Sequence, residues 1–537
     1  MGHVRIALTM VVFDHHTVPP RQQTDSSFLS TLMSEVRAKF AAVLRFLYDK
    51  EEGNALEVDD HHLGDDRGNH VLFVDNIFDI MEDAAPPPPA AASLRILQVQ
   101  LPPPKSKKKR TKFPRMNQRD SIWWTRFLSP AQRAELLMNP NGRLAKQFRK
   151  LFHVPYVLFV DLMSLAKQRW WQEWDDKNRC KAGKLVSSLD LKILGSLFVL
   201  AHGVAHVIAS VCSNLSEEVH RSFFMKWISD MSSIKDEFIF MPQDNNTFRK
   251  VSEEYAARGL PGCIGSVDCV HIGWDRCPTQ YKNMYTGKEG YPSVAYEVIC
   301  NARKLIQSVS CGHPGTRNDK HIVKTDPSVM QLLEFNGWLN SRAWHCIGPD
   351  GRRSFFGAYL ICDGGYHTWP CLMSPSKNGM PNSPEMRWSK NVESVRKDIE
   401  GVFGILKVRF RFLKNFNNLR SQSSIDDAFT TCCMLHNMLL RSDSYLDDNL
   451  APYPGGLEER LAKRFGRNRW NGLEGLWIRD NDVEEHETND DHTALPPLVP
   501  LPTPRFFSEA DKRALKERHK RVKAALVDHF QYGGRTN

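Results

Sequence analysis

Apolar and polar positions follow different rhythms in different parts of the chain. From Ser121 to about Ala256, apolar side chains recur every three or four residues, through Leu151, Val154, Leu158, Leu162 and Leu165, which predicts helices with one buried face. Ser129-Pro130 predicts a helix start, because serine caps well and the fixed φ of proline suits the first helical position. Ser188-Leu189-Asp190 and Asn214-Leu215-Ser216-Glu217-Glu218 predict two more. Ile193 to Cys212 is uncharged and about long enough to span a bilayer. Its histidines, glycines and serines predict a buried helix or helix pair instead. From 257 to about 440, glycines punctuate short apolar runs, which predicts strands followed by helices in an α/β layout. A last basic helix is predicted from Ser508 to about Phe530, with Leu515, Val522, Leu526 and Phe530 on its apolar side.

Composition adds boundaries to this picture. The chain has 537 residues, 41% hydrophobic and 25% charged, enough for two or three domains and incompatible with global disorder or a collagen-like fibre. Residues 1–115 read as a low-complexity leader, 116–256 as a helical domain, 257–442 as an α/β core, and 443–537 as an acidic, proline-rich tail ending in the basic helix. The leader and tail are expected to be disordered. None of the twelve cysteines forms a Cys-x-x-Cys, so reduced thiols inside a cell are expected. A short apolar run after Arg5 lacks a cleavage site, so no signal peptide and no membrane partner are expected. The net charge of +10 favours a polyanion, and its position is informative. Lys107, Lys108, Lys109 and Arg110 lie in an acid-free basic run after three prolines, which suits nuclear import or contact with nucleic acid. Lys146, Arg149, Lys150, Lys167 and Arg169 sit among the predicted helices. A helix-turn-helix-like DNA-binding unit and a plain helical domain with a basic surface fit them equally well.

Three acids stand out by position. Strand alternation sets Asp268 on one face with Ile264, Ser266, Val270 and Ile272, and His271 on the other. A carboxylate on an apolar strand face is costly to bury unless it is paired or binds a metal. Asp363 follows the apolar run Phe355–Cys362, which predicts a central strand with the acid at its carboxyl end, where open α/β sheets place ligands. Glu400 falls on a predicted helix, in a stripe with Glu393, Arg396, Lys407 and Arg411 beside the apolar face. Asp398 points away and reads as a surface acid. Converging carboxylates suit Mg²⁺ or Mn²⁺ and an in-line phosphoryl displacement. Arg396, Lys407 and Arg411 are then candidates to hold the DNA backbone. The plainer alternative is three unrelated acids: a cap, a turn residue and a salt bridge. Asp319 reads as a structural turn residue or as an aid to the metal site.

The residues also carry a resemblance. Gly259-Leu260-Pro261-Gly262-Cys263-Ile264-Gly265-Ser266-Val267-Asp268-Cys269-Val270-His271 resembles the opening block of PIF/Harbinger-type DDE transposases, in the branch of plant transposon proteins. Gly312–Asp319, Asp363-Gly364-Gly365-Tyr366, Arg396–Lys407 and Cys433–Leu439 agree in order. The resemblance covers about 257–440. It implies an RNase H-like catalytic core, a mixed sheet flanked by helices, behind the all-α domain. It further implies that Asp268, Asp363 and Glu400 are the catalytic metal ligands of a Mg²⁺- or Mn²⁺-dependent nuclease, which cuts transposon ends and joins a DNA 3′-hydroxyl to target DNA. A nuclear location, a Myb-like DNA-binding partner protein and homo-oligomerisation are compatible with it. Gly401 departs from the family, which usually has arginine or another large residue there. The rival expectation is a domesticated, catalytically silent DNA-binding or scaffold protein that keeps the fold.

Overall fold

In a computed structural model, the described residues are 117–171, 186–334, 337–415, 419–443 and 508–533, and all fall within one compact unit, Arg115–Asn537. The leader, its basic run and most of the tail lie outside the described residues.

The first part is helical: α1 (Pro130–Met138), α2 (Arg143–Phe152), α3 (Tyr156–Arg169), α4 (Leu189–His202), α5 (His206–Ser213), α6 (Glu217–Ser232) and α7 (Asn245–Ala256). The start signals act where they stand. Pro130 opens α1, and the Ser216 hydroxyl accepts from the Val219 amide ahead of two acids in the first turn of α6. From Ile193 onward helix α4 is buried on nearly every side, which accounts for the lack of charge there. It ends at Gly203, whose φ is +59°, and a Cβ there would lie 2.9 Å from the Arg411 carbonyl oxygen. Only glycine permits both that backbone and that approach, so the uncharged stretch becomes a helix pair. No helix among the described residues is long and apolar enough to cross a membrane. Trp123, Phe127, Phe148, Phe152 and Phe198 pack edge-on in the interior. Trp123 is therefore core, and unavailable to stack on bases. Two of the five helical cations are tied up by acids far along the chain, Arg149 by Asp443 and Arg169 by Glu237.

The second part is built on a mixed sheet. Its strands are β1 (Cys263–Gly273), β2 (Ser293–Cys300), β3 (Ile306–Val309), β4 (His313–Pro314), β7 (Tyr359–Ile361) and β8 (Leu372–Met373), in the order β3-β2-β1-β7-β8 with β4 beside β2. β1, β2 and β3 form an antiparallel set; β7 and β8 add in parallel to β1. A separate hairpin, β5 (Ala343–Gly348) with β6 (Gly351–Phe356), stands apart from this sheet. The run Phe355–Cys362 is therefore not one central strand, as the sequence suggests. Gly357, at φ +89°, divides it: Phe355 and Phe356 end the hairpin, and only Tyr359–Ile361 enters the sheet. Continuous apolarity does not mark a strand end: Phe356 is 43% exposed at the end of β6, while Tyr359–Ile361 is wholly buried.

Three further helices cover the sheet: α8 (Pro384–Arg409), α9 (Gln422–Ser442) and α10 (Glu509–Tyr532). Asn437 on α9 accepts from the Ile306 amide and donates to the Ile306 and Phe238 carbonyls, fixing the edge strand β3. Helix α10 opens with a reciprocal Ser508–Asp511 capping box and buries Leu515, Val522 and Leu526 in the same core as Trp344, Tyr359 and Trp388. The C-terminal helix is thus part of the α/β body rather than an appendage of the tail. On α8, Asp398 is 2% exposed and bound to Arg258 at 2.6 Å, so the expected surface acid is a buried one. The periodicity located it correctly off the Glu400 stripe; what it missed is that the end of α7 packs there.

Candidate active site

Asp268 lies in the middle of β1. On one side, β2 pairs with β1 from Ser266 to Gly273, while on the other β7 reaches only as far as Ser266. From Asp268 onward that second edge is free of strand pairing, and the chain leaving β7 turns there. Asp363 stands two residues past the end of β7, in parallel register beside β1, since Ser266 pairs with Ile361. Its Oδ1 accepts from the Gly365 amide at 2.7 Å, closing a local turn. A Cβ at position 365 would lie 2.9 Å from Asp363 Oδ1 and 3.4 Å from Asp319 Oδ2. The glycine is what lets these two acids approach each other. Asp319 itself begins a short helix, Asp319–Ile322, capped by Asn318.

Helix α8 crosses β1 and presents Arg396, which is 8% exposed. Arg396 Nη1 donates to Asp268 Oδ2 at 3.0 Å, and Nη2 donates to Glu400 Oε1 at 2.6 Å and Glu393 Oε1 at 3.2 Å. Asp268 and Glu400, 132 apart in number, are therefore held by one guanidinium. The sequence places Arg396 with the phosphate-holding cations; in the structure it is among carboxylates instead. Burial first, then the fields of Asp363 and Asp319, push the Asp268 carboxyl up to about 6, against the Cys269 amide hydrogen bond and the Arg396 charge. Burial works against the Arg396 charge, but the hydrogen bond to Glu393 and the fields of its three acids hold it firmly protonated.

Lys407 is two turns beyond Glu400 and half-buried, with burial lowering its pKa and Glu289 opposing that. Arg411 is exposed, and its amide donates to the Ala201 carbonyl, where the helical part meets the core. Neither makes an ion pair with the acids among the described contacts. Lys107, Lys108, Lys109 and Arg110 lie outside the described residues. His271, on the opposite face as expected, hydrogen-bonds Ser293.

One acid escapes the sequence reading altogether. Glu297, in the wholly buried strand β2, is 0% exposed, and its carboxyl meets the Tyr366 hydroxyl. It is opposite Cys269, and so on the other face of the sheet from Asp268. Burial, then Asp326, hold its carboxyl well above the usual range. The available signal was an acid inside the apolar run Ser293–Cys300.

The donor set is oxygen-rich and short of positive charge, which suits a hard divalent ion. Among the described residues, no three His, Cys, Asp or Glu side chains stand together in a geometry that would already hold a metal. Two of the three candidate acids, Asp268 and Glu400, are engaged by Arg396.

Comparison with known proteins agrees with the resemblance. Residues 237–447 match the family model described as Plant transposon protein. The chain carries a plant transposon protein domain. The matched segment takes in α7 and Arg258 just after it, which Asp398 binds. The chain is 26% identical over 227 residues to "Putative nuclease HARBI1" of Rattus norvegicus, covering 42% of this chain and 58% of that protein. It is 23% identical over 269 residues to "Protein ALP1-like" of Arabidopsis thaliana, covering 49% and 60%. To "Putative nuclease HARBI1" of Homo sapiens it is 26% identical over 254 residues, covering 47% and 66%. The chain thus spans less than two thirds of the length of these relatives. No solved structure matches.

Proposed function

We propose that the chain is a metal-dependent DNA endonuclease of the Harbinger transposase type, with Asp268, Asp363 and Glu400 as its metal ligands. The observation that carries this reading is that Asp268 and Asp363 lie beside each other in the register of neighbouring parallel strands, while α8 brings Glu400 to the same Arg396 that binds Asp268. The mixed sheet, with an antiparallel set leading into parallel strands, supports an RNase H-like core. The nuclease names of the relatives support the reaction class.

Bound Mg²⁺ or Mn²⁺ would activate the attacking oxygen and stabilise the leaving oxygen at a phosphodiester. The protein's share is positioning. β1 and β7 fix two carboxylates on a rigid sheet, and the Asp363–Gly365 turn fixes the second one's rotation. Glu400, 48% exposed, faces the side from which DNA can approach. Lys407 lies further along that side as a candidate to hold the backbone; Arg411, the other candidate, is past the helix end at Arg409 and off the stripe the periodicity gave it. We assign the basic run Lys107–Arg110 to DNA contact or nuclear import, with a nuclear location, and leave a Myb-like partner and self-association as parts of the same proposal.

The test is cleavage of supercoiled and linear DNA with Mg²⁺ or Mn²⁺, comparing wild type with Glu400→Gln. Metal-dependent cleavage lost in the variant supports the reading. Intact DNA binding with no cleavage in either protein supports the domesticated alternative.

A further inference from the structure

Arg396 has a feature that neither strength of binding nor helix packing explains. Its side chain is 9% exposed, and both terminal nitrogens are committed to carboxylates, while its Nε is buried with no hydrogen-bond partner. Leaving a guanidinium N–H unsatisfied in the interior is unfavourable. An arginine placed only to brace the helix could shift to satisfy it. This one is held where it is by three acids at 2.6 to 3.2 Å. Two of them, Asp268 and Glu400, are the acids assigned above to metal; the third, Glu393, touches only Arg396 among these contacts. One positive charge thus lies in the gap that the metal reading gives to a divalent cation. Both cannot use the same oxygens of Asp268 and Glu400, Oδ2 and Oε1.

We infer that Arg396 is the site's internal counter-ion, occupying the cation position between Asp268 and Glu400, and that a divalent metal binds there only as the guanidinium gives way. The inference rests on the metal reading above and adds how that site is controlled. Arg396 is on this account a positioning residue. It keeps mutually repelling carboxylates in place while no metal is bound, and it sets the metal concentration at which they are claimed. Glu393 tunes the same balance by giving the guanidinium a third anchor.

The test is Mn²⁺ binding to the full-length protein without DNA, followed by electron paramagnetic resonance of free Mn²⁺ and by the metal-induced rise in melting temperature. Competition by a resident cation is a coupling between two ligands of one site, so its removal is expected to tighten Mn²⁺ binding about tenfold in Arg396→Gln. Arg396→Lys keeps the charge and is expected to stay within about threefold of wild type. Glu393→Gln, which touches no proposed ligand, is expected to tighten binding severalfold by loosening the anchor. Circular dichroism identifies any variant that fails to fold; should Arg396→Gln be one, unchanged affinity in Glu393→Gln overturns the inference. Binding that is abolished by Asp268→Asn yet equal or weaker in Arg396→Gln than in wild type also overturns it, and leaves the metal site standing. No Mn²⁺ bound by any of these proteins overturns the metal reading, and this inference with it.

Discussion

Two arginine–carboxylate clusters on helix α8 do opposite things. Asp398 meets Arg258 at 2.6 Å with side chains 2% and 5% exposed, sealed where the chain leaving α7 packs on α8. Two residues further on, about 200° around the helix, Glu400 shares Arg396 with Asp268 and Glu393 at a rim open to solvent. The first cluster is closed to solvent, so its work is structural. The second has one cation for three acids and is open, so it retains an affinity for positive charge that a ligand can satisfy. Burial alone separates neither: Arg396 and Arg258 are nearly equally hidden. What separates them is the access of solvent to their acids, 2% exposed in the first and 46% and 48% for Glu393 and Glu400 in the second.

Breaking the open cluster has the largest expected effect. Removal of the Glu400 carboxylate by Glu400→Gln is expected to lower metal-dependent DNA cleavage by at least two to three orders of magnitude, an effect of about 3–4 kcal/mol on the barrier. Single-turnover cleavage rates check it. Breaking the closed cluster should instead unfold. Asp398→Ala takes from Arg258 its charge partner in the interior and is expected to cost about 3–5 kcal/mol in denaturant unfolding. Equal costs for Asp398→Ala and Glu400→Gln in that experiment would erase the distinction.

A third experiment reads the open cluster through pH. The Asp268 carboxyl is raised from 3.8 to about 6 in the folded chain. Between those values the folded protein holds a proton that the unfolded chain has lost. Stability therefore falls as pH rises from about 4 through 6, by about 3 kcal/mol for a two-unit shift. In metal-free buffer, wild type should lose that much relative to Asp268→Asn over this window, measured by unfolding at each pH. The smallest effect is on the stability of Glu400→Gln itself. Its carboxylate is half-exposed, so loss of the ion pair is expected to change unfolding free energy by less than about 1 kcal/mol.

Much of this was legible along the chain, and the misses have identifiable causes. Ser129-Pro130, Ser188 and Ser216 announced helix starts because such signals are local; Ser216 caps through its hydroxyl and Pro130 acts through its fixed φ, while Ser129 and Ser188 make no capping hydrogen bond. Asp268, Asp363 and Glu400 were singled out because periodicity assigns a face and strand ends are informative positions. The run through Phe355 and Tyr359 misled, since apolarity alone does not mark where one strand ends and another begins. Glu297 passed unnoticed because one acid in an apolar strand gives no hint of what lies opposite.

By itself, then, the sequence determined the alternation of helix and strand, the faces on which the acids fall, and the resemblance that ties the blocks together. These are properties of spacing, set by residues within a turn or two of one another. Only the tertiary structure decided which charges meet. It closed Asp398 on Arg258, set Arg396 between Asp268 and Glu400, brought Asp319 to Asp363 over a glycine, and folded the last helix into the core. Charge pairing depends on distance in space and on the water left nearby, and neither is written in the order of residues.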